Sequence, residues 1–319
     1  MPVPDKLPTF DELPVVPGAP PQSAWWLFGQ DDQVGMFNLQ TPERIAEAAR
    51  LVRHGKMFPM NWELELPNPP LFSRGAVRQT IFRRPTSNDD VLDNFYPQAS
   101  SQWDSLVHVG HSQHGLYNGI TSADVTGQPG TKNGIEHWAR RGIAGRAVLL
   151  DLGRHLAKNG NPIDCGTDRR ITVEELEACR QAQGVEIRDG DVLLLRFGWQ
   201  DWYLEQDAAT RQAISNRNVL RAPGIAAGES MARWLWDHHV VAIGADNPAL
   251  EAWPPGPETG GFLHEYIIGL FGMGIGELWD LAGLAADCAE DGVYECFFVS
   301  APINKLGGVG SPPNAIALK

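Results

Sequence analysis

Three short apolar runs constrain this chain most: Ala147 to Leu152, Asp191 to Arg196 and Val240 to Gly244. Each is strand-length and lacks the polar alternation of a half-exposed sheet, so each reads as a strand covered on both faces. Helical patterns separate them. Thr172-x-x-Glu175 is a capping box that opens a helix running to Gly184, and a second helix spans Glu229 to His238. A turn at Asp189-Gly190 precedes the second strand, and a last strand is expected at Cys296 to Ala301. Near the front, Thr41-Pro42-Glu43 starts a helix with Thr41 as cap and Gly55 as its end. Ile45, Ala48, Ala49 and Val52 would form its apolar stripe, and Arg78 to Arg84 alternates roughly as a strand does. Strands and helices mix throughout without a repeat or an internal linker. The expectation is a single α/β domain over 25–319 with a largely buried mixed sheet.

Residues 1–24 hold seven prolines, Pro2 to Pro21, and read as an extended arm lying across the body or a neighbouring subunit. A net charge of −13 opposes binding to a phosphate backbone, so no nucleic-acid partner is expected. No run of about 20 apolar residues predicts a membrane span. The four cysteines, Cys165, Cys179, Cys288 and Cys296, form no C-x-x-C pair, which fits a reduced, cytoplasmic setting. No G-x-S-x-G elbow, P-loop or dinucleotide fingerprint occurs.

The segment with chemistry in it is Gln98 to His108. In an extended chain Gln98, Gln102, Asp104 and His108 would point the same way. An Asp and a His so placed can share a metal or divide the roles of ligand and base, or form a plain hydrogen-bonded pair. His108, His111 and His114 would also share a face if that stretch were helical.

Gln102-Trp103-Asp104-Ser105-Leu106-Val107-His108, followed by Tyr117-Asn118-Gly119, resembles the cyclase family, which includes kynurenine formamidase and isatin hydrolase. The family pattern is H-x-G-T-H-x-D-x-P-x-H, and one branch carries Q-W-D-S-L-x-H. Supporting likenesses are Asp32 to Leu39, Gly142 to Asp151, Asp189 to Val192 and Gly244 to Asn247.

The resemblance implies a mixed, barrel-like sheet with helices outside, and a homodimer or homotetramer. It puts metal ligands at Asp104, His264 and Glu277 and a general acid/base at His108. Gln98 and Gln102 stand where the family has two metal-binding histidines, and a neutral amide oxygen is the poorer ligand. One divalent ion, Zn2+ or Mn2+, is therefore expected, with Gln98 and Gln102 as possible metal or substrate contacts. Trp103, His111, Tyr117, Asp246 and Trp253 are candidates for the pocket wall, alongside ordinary packing or turn-capping roles. The implied activity is hydrolysis of a small amide, lactam, lactone or ester by a metal-activated water. Competing readings are a silent relative that only binds a small molecule, and a metal-dependent cyclase or lyase.

Overall fold

The computed structural model describes residues 4, 6–257 and 260–319. Its strands, in chain order, are β1 (Met57–Pro59), β2 (Arg78–Arg83), β3 (Asn88–Asp93), β4 (Gln102–Asp104), β5 (Ile143–Asp151), β6 (Arg170–Ile171), β7 (Val192–Arg196), β8 (Gly224–Ile225), β9 (Ala242–Ala245), β10 (Gly274–Glu277), β11 (Glu295–Ser300), β12 (Gly310–Ser311) and β13 (Ala315–Leu318). The helices are α1 (Pro42–Ala48), α2 (Ile135–Arg141), α3 (Leu152–Lys158), α4 (Val173–Gln183), α5 (Trp199–Glu205), α6 (Ala208–Ile214), α7 (Glu229–Asp237) and α8 (Ala282–Asp291). A π-helix spans Glu265–Leu270.

Nine strands form one curled sheet in the order β1-β13-β11-β5-β7-β9-β10-β4-β12. The middle run β5-β7-β9-β10 is parallel, and every other pairing in the sheet is antiparallel. This is the mixed, barrel-like sheet with outer helices that the sequence implies. Strands β5, β7 and β9 are the apolar runs, because they are buried in the core and show no polar side. Val192 to Leu195 and Ala242 to Ala245 are all buried. Thr172 and Glu175 form the capping box as read, and α4 ends at Gly184 in the left-handed region.

One local reading is corrected. Helix α1 stops at Ala48, with one 3-10 turn to Leu51, instead of running to Gly55. The backbone N–H groups of His54 and Lys56 bond to the carbonyl of Lys319, so the C-terminal residue pulls the chain out of helix. Ala49, assigned to the apolar stripe, is consequently exposed. The strand read at Arg78 is present as β2, paired with β3 in a two-stranded ribbon apart from the main sheet.

The described part of the N-terminal arm packs on its own chain. Leu7, Phe10 and Leu13 join the main core. The Pro8 carbonyl accepts from Trp236 Nε1 at 2.8 Å, and the Phe10 N–H donates to Asp237 at 2.7 Å. Pro2, counted in that arm, lies outside the described residues. No helix among the described residues is long and apolar enough to cross a membrane.

Candidate active site

Strand alternation in β4 decides which side chains reach the site. Gln102 and Asp104 face one way and Trp103 the other. Trp103 is wholly buried, edge-on to Phe37, Trp138 and Trp279 and hydrogen-bonded through Nε1 to Ser300 at 2.9 Å. It anchors the core, the packing role that the sequence left open beside a place in the pocket wall. Opposite β4 runs β10, with Glu277 paired to Gln102 and Gly276 to Trp103. Gly276 is required here: a Cβ would sit 2.4 Å from the Trp279 ring. The ring occupies the space that any side chain would need, and Trp279 Nε1 bonds back to the Gln102 carbonyl at 2.9 Å.

His264 enters just ahead of the π-helix, an irregularity common at functional positions. Its Nε2 lies 3.1 Å from Glu277 Oε1 and 3.8 Å from Asp104 Oδ2. One ligand atom each from Asp104, His264 and Glu277 falls within 4.8 Å of the other two, and all three residues are buried. Among the described residues this is the one such cluster of three His, Cys, Asp or Glu side chains. Both Asp104 oxygens are buried without a hydrogen-bond donor. Burial pushes the Asp104 carboxyl up, against the pull of His108, His264 and Arg74. Burial alone would lower His264, but Glu251 and Glu277 outweigh it and hold the imidazole well above its ordinary range. A buried, donorless carboxylate beside a second carboxylate and an imidazole nitrogen is a donor set that fits a divalent cation.

Two residues of this centre escaped sequence reading. Glu251 is fully buried; its Oε2 sits 2.7 Å from His264 Nδ1, and its Oε1 accepts from the Leu263 N–H at 3.0 Å. It fixes the ring so that Nε2 faces Asp104 and Glu277. The available signal was a lone glutamate in the apolar run Ala249 to Trp253, since a buried Glu needs a partner. Arg74 donates through Nη1 to the Gln98 carbonyl and, at 3.4 Å, to Gln102 Oε1. Burial depresses its pKa, and nearby Glu277 and Asp104 counter this. No local pattern marks Arg74 in the sequence.

Gln102 is thus engaged at both ends, its Nε2 donating to Glu277 Oε2 and its carbonyl facing the Arg74 guanidinium. Gln98 contributes its backbone carbonyl to Arg74. His108 reaches the centre by a route other than the one read. The chain leaves extended geometry after Asp104 and turns, with the His108 N–H bonded to the Ser105 carbonyl at 3.0 Å. This brings His108 Nε2 to 3.7 Å from Asp104 Oδ1, half-buried at the edge of a cleft of about 580 Å³ that His111, Ser112 and Leu116 also line. The same turn keeps His108, His111 and His114 from sharing a helical face. His111 instead stacks on His114, ring centroids 4.7 Å apart.

Three other pocket candidates make the following contacts. Tyr117 is wholly buried and donates to Asp32 at 3.3 Å. Asp246 accepts the N–H groups of Phe197 and Gly198, each at 2.7 Å, bracing the turn after β7. Burial still raises its carboxyl to about 7. Trp253 packs on Phe72 in a second apolar cluster and bonds to the Arg217 carbonyl at 3.1 Å.

Comparison with known proteins agrees with this architecture. The cyclase family profile matches residues 49–252. A solved structure described as a novel cyclase shares 33% identity, covering 93% of this chain and 99% of its own, with a TM-score of 0.80. Isatin hydrolase A from Labrenzia aggregata, bound to benzyl benzoate, has 14% identity, coverage of 85% and 94%, and a TM-score of 0.59. Isatin hydrolase A from Ralstonia solanacearum has 18% identity, coverage of 87% and 97%, and a TM-score of 0.56. At those identities the two hydrolases show the shared fold alone. No curated protein sequence matches. With the profile matching more than half of the chain, and a 33%-identical structure superposing over nearly all of it, this protein belongs to the cyclase family.

Proposed function

We propose that the chain is a metal-dependent hydrolase acting on a small amide, lactam, lactone or ester. The observation that carries this reading is the buried Asp104 carboxylate, which has no hydrogen-bond donor and converges with His264 and Glu277. Asp104, His264 through Nε2 and Glu277 would hold one divalent ion, zinc or manganese. Such an ion supplies Lewis acidity toward a carbonyl and toward water. Gln102 supports a single-ion site, because its amide nitrogen donates to Glu277 and its oxygen is turned to Arg74. The substrate class takes its lead from the neighbours named isatin hydrolase, since isatin is a cyclic amide.

The chain's own groups divide the remaining work. His108 Nε2, beside Asp104 and open to the cleft, takes a proton from the attacking water and returns it to the leaving nitrogen or oxygen. Glu251 keeps the His264 ring in orientation. Arg74 pins Gln102, and its positive charge lies near Glu277 and Asp104.

Elemental mass spectrometry of protein purified without chelator tests the reading, followed by hydrolysis assays on lactams, lactones and formamides in labelled water. About one zinc or manganese per chain, with solvent oxygen in the product, supports it. Protein that takes up no ion even after dialysis against both metals points to a binding protein. Turnover without solvent oxygen points to a cyclase or lyase.

Two variants separate the roles. His108→Ala should lower kcat by about 10²–10⁴-fold and leave the metal content unchanged; loss of metal would make His108 a ligand instead. Glu251→Gln should weaken metal affinity by roughly 10–100-fold, read by competition with a chelator dye. Unchanged affinity would show that the Glu251 carboxylate does not set the His264 ring.

A further inference from the structure

A second cavity, of about 290 Å³, opens between α1, β5 and the turn ahead of β7. Strands β7 and β9 stand between β5 and β10 in the sheet, and none of the residues lining this cavity belongs to the Asp104 centre. Gln40 is the feature that marks it. The residue is 2% exposed, yet neither its amide nitrogen nor its amide oxygen has a hydrogen-bond partner among the described residues. Burying both groups unmet costs free energy that an apolar side chain would avoid. Strand β5 makes room for this amide, since a Cβ at Gly145 would lie 2.8 Å from Gln40 Nε2.

We propose that this cavity binds a small, neutral, planar molecule that carries an N–H and a C=O side by side, as a lactam, imide or ureide does. Such an edge offers the acceptor that the Gln40 nitrogen needs and the donor that its oxygen needs. The charges around the cavity set the neutrality of the ligand. Three arginines and three acids line it, and each arginine already faces an acid. Arg146 is paired with Asp191 at 2.5 Å and with Glu295 at 2.6 Å, and it donates to the Glu186 carbonyl at 2.9 Å. Burial pushes the Asp191 carboxyl up to about 6 against the pull of Arg146, so the pair is ionised at neutral pH. Arg44 faces Asp189 at 3.8 Å, and Arg188 faces Glu47 at 3.7 Å. No net charge is left to draw in an ion, and the unmet hydrogen-bonding capacity is that of the Gln40 amide. Ala48 and Leu51 add apolar wall. The volume is close to the lower bound of small-molecule pockets, roughly 300 Å³.

Isothermal titration calorimetry with uracil, on the full-length protein as purified, tests the site. Uracil presents this edge on an aromatic ring that resists hydrolysis. One uracil should bind per chain. Its 1,3-dimethyl derivative, which has lost both N–H groups, should bind the wild type more weakly by about 10-fold or more. Gln40→Met keeps the length of the side chain without the amide, and should weaken uracil binding by a similar factor. Absence of uracil binding at millimolar concentration overturns the proposal, as does equal binding of the dimethyl derivative, a comparison made on wild-type protein alone. Uracil binding that Gln40→Met leaves unchanged puts the ligand elsewhere and overturns it too. Acetate bound more tightly than uracil would show a site for ions and overturn the neutral ligand. None of these outcomes depends on the metal or on turnover at the Asp104 centre.

Discussion

An Asp104→Ala variant should fold, bind no zinc or manganese, and lose hydrolytic turnover by about 10³-fold or more, taking several kcal/mol of transition-state stabilisation at 1.36 kcal/mol per decade. Asp104 is the group at this centre whose oxygens accept no protein hydrogen bond, so its removal leaves no donor unpaired. Burial disfavours its charge, so metal-free Asp104→Ala protein should melt at or above the temperature of metal-free wild type. The contrast with added metal is the informative part: zinc or manganese should raise the melting temperature of the wild type by mass action and leave the variant unmoved. Elemental analysis and thermal scans with and without metal measure both. A variant that keeps one ion per chain would dismiss Asp104 as a ligand.

Trp103→Ala should cost about 3–5 kcal/mol of stability, the usual range for removing a large buried aromatic. The ring meets Phe37, Trp138, Trp279 and Phe298, all within 6.5 Å between centroids, and none of these neighbours can close the hole without leaving its own packing. Ser300 would lose the Trp103 donor but keep its bond to the Pro313 carbonyl, so the cavity accounts for most of the cost. A fall of roughly 10 °C in melting temperature is expected, at about 2–4 °C per kcal/mol for large domains. Trp103 shares β4 with Asp104 and Gln102, so weakened metal binding should accompany the loss. A fall of only a degree or two would contradict the core assignment.

Much of this was legible in the sequence, and each success rests on a local cause. Strands β5, β7 and β9 announce themselves because burial leaves largely apolar residues in a short run. Helix α4 is readable at both ends because the Thr172–Glu175 box and Gly184 satisfy the termini within a few residues. Asp104 stood out because the string from Gln102 to His108 is contiguous and resembles a family motif.

What the sequence left open was decided by contacts between distant segments. Gln102 and Glu277 are 175 positions apart and become neighbours only through the β4–β10 register. Glu251 and Arg74 carry no local mark, since their roles exist only once His264 and Gln102 are beside them. The length of α1 was settled by Lys319 at the opposite terminus. The exposure of the β2–β3 ribbon is likewise a tertiary fact, because alternation in sequence looks the same whether a face meets a core or lies open. By itself the sequence determined elements with local signals, such as α4 and strands β5, β7 and β9, and that a carboxylate–imidazole chemistry is available, since propensity, capping and periodicity act over a few residues. The tertiary structure alone decided which side chains converge and which apolar faces remain uncovered, because both depend on strand pairing across the whole chain.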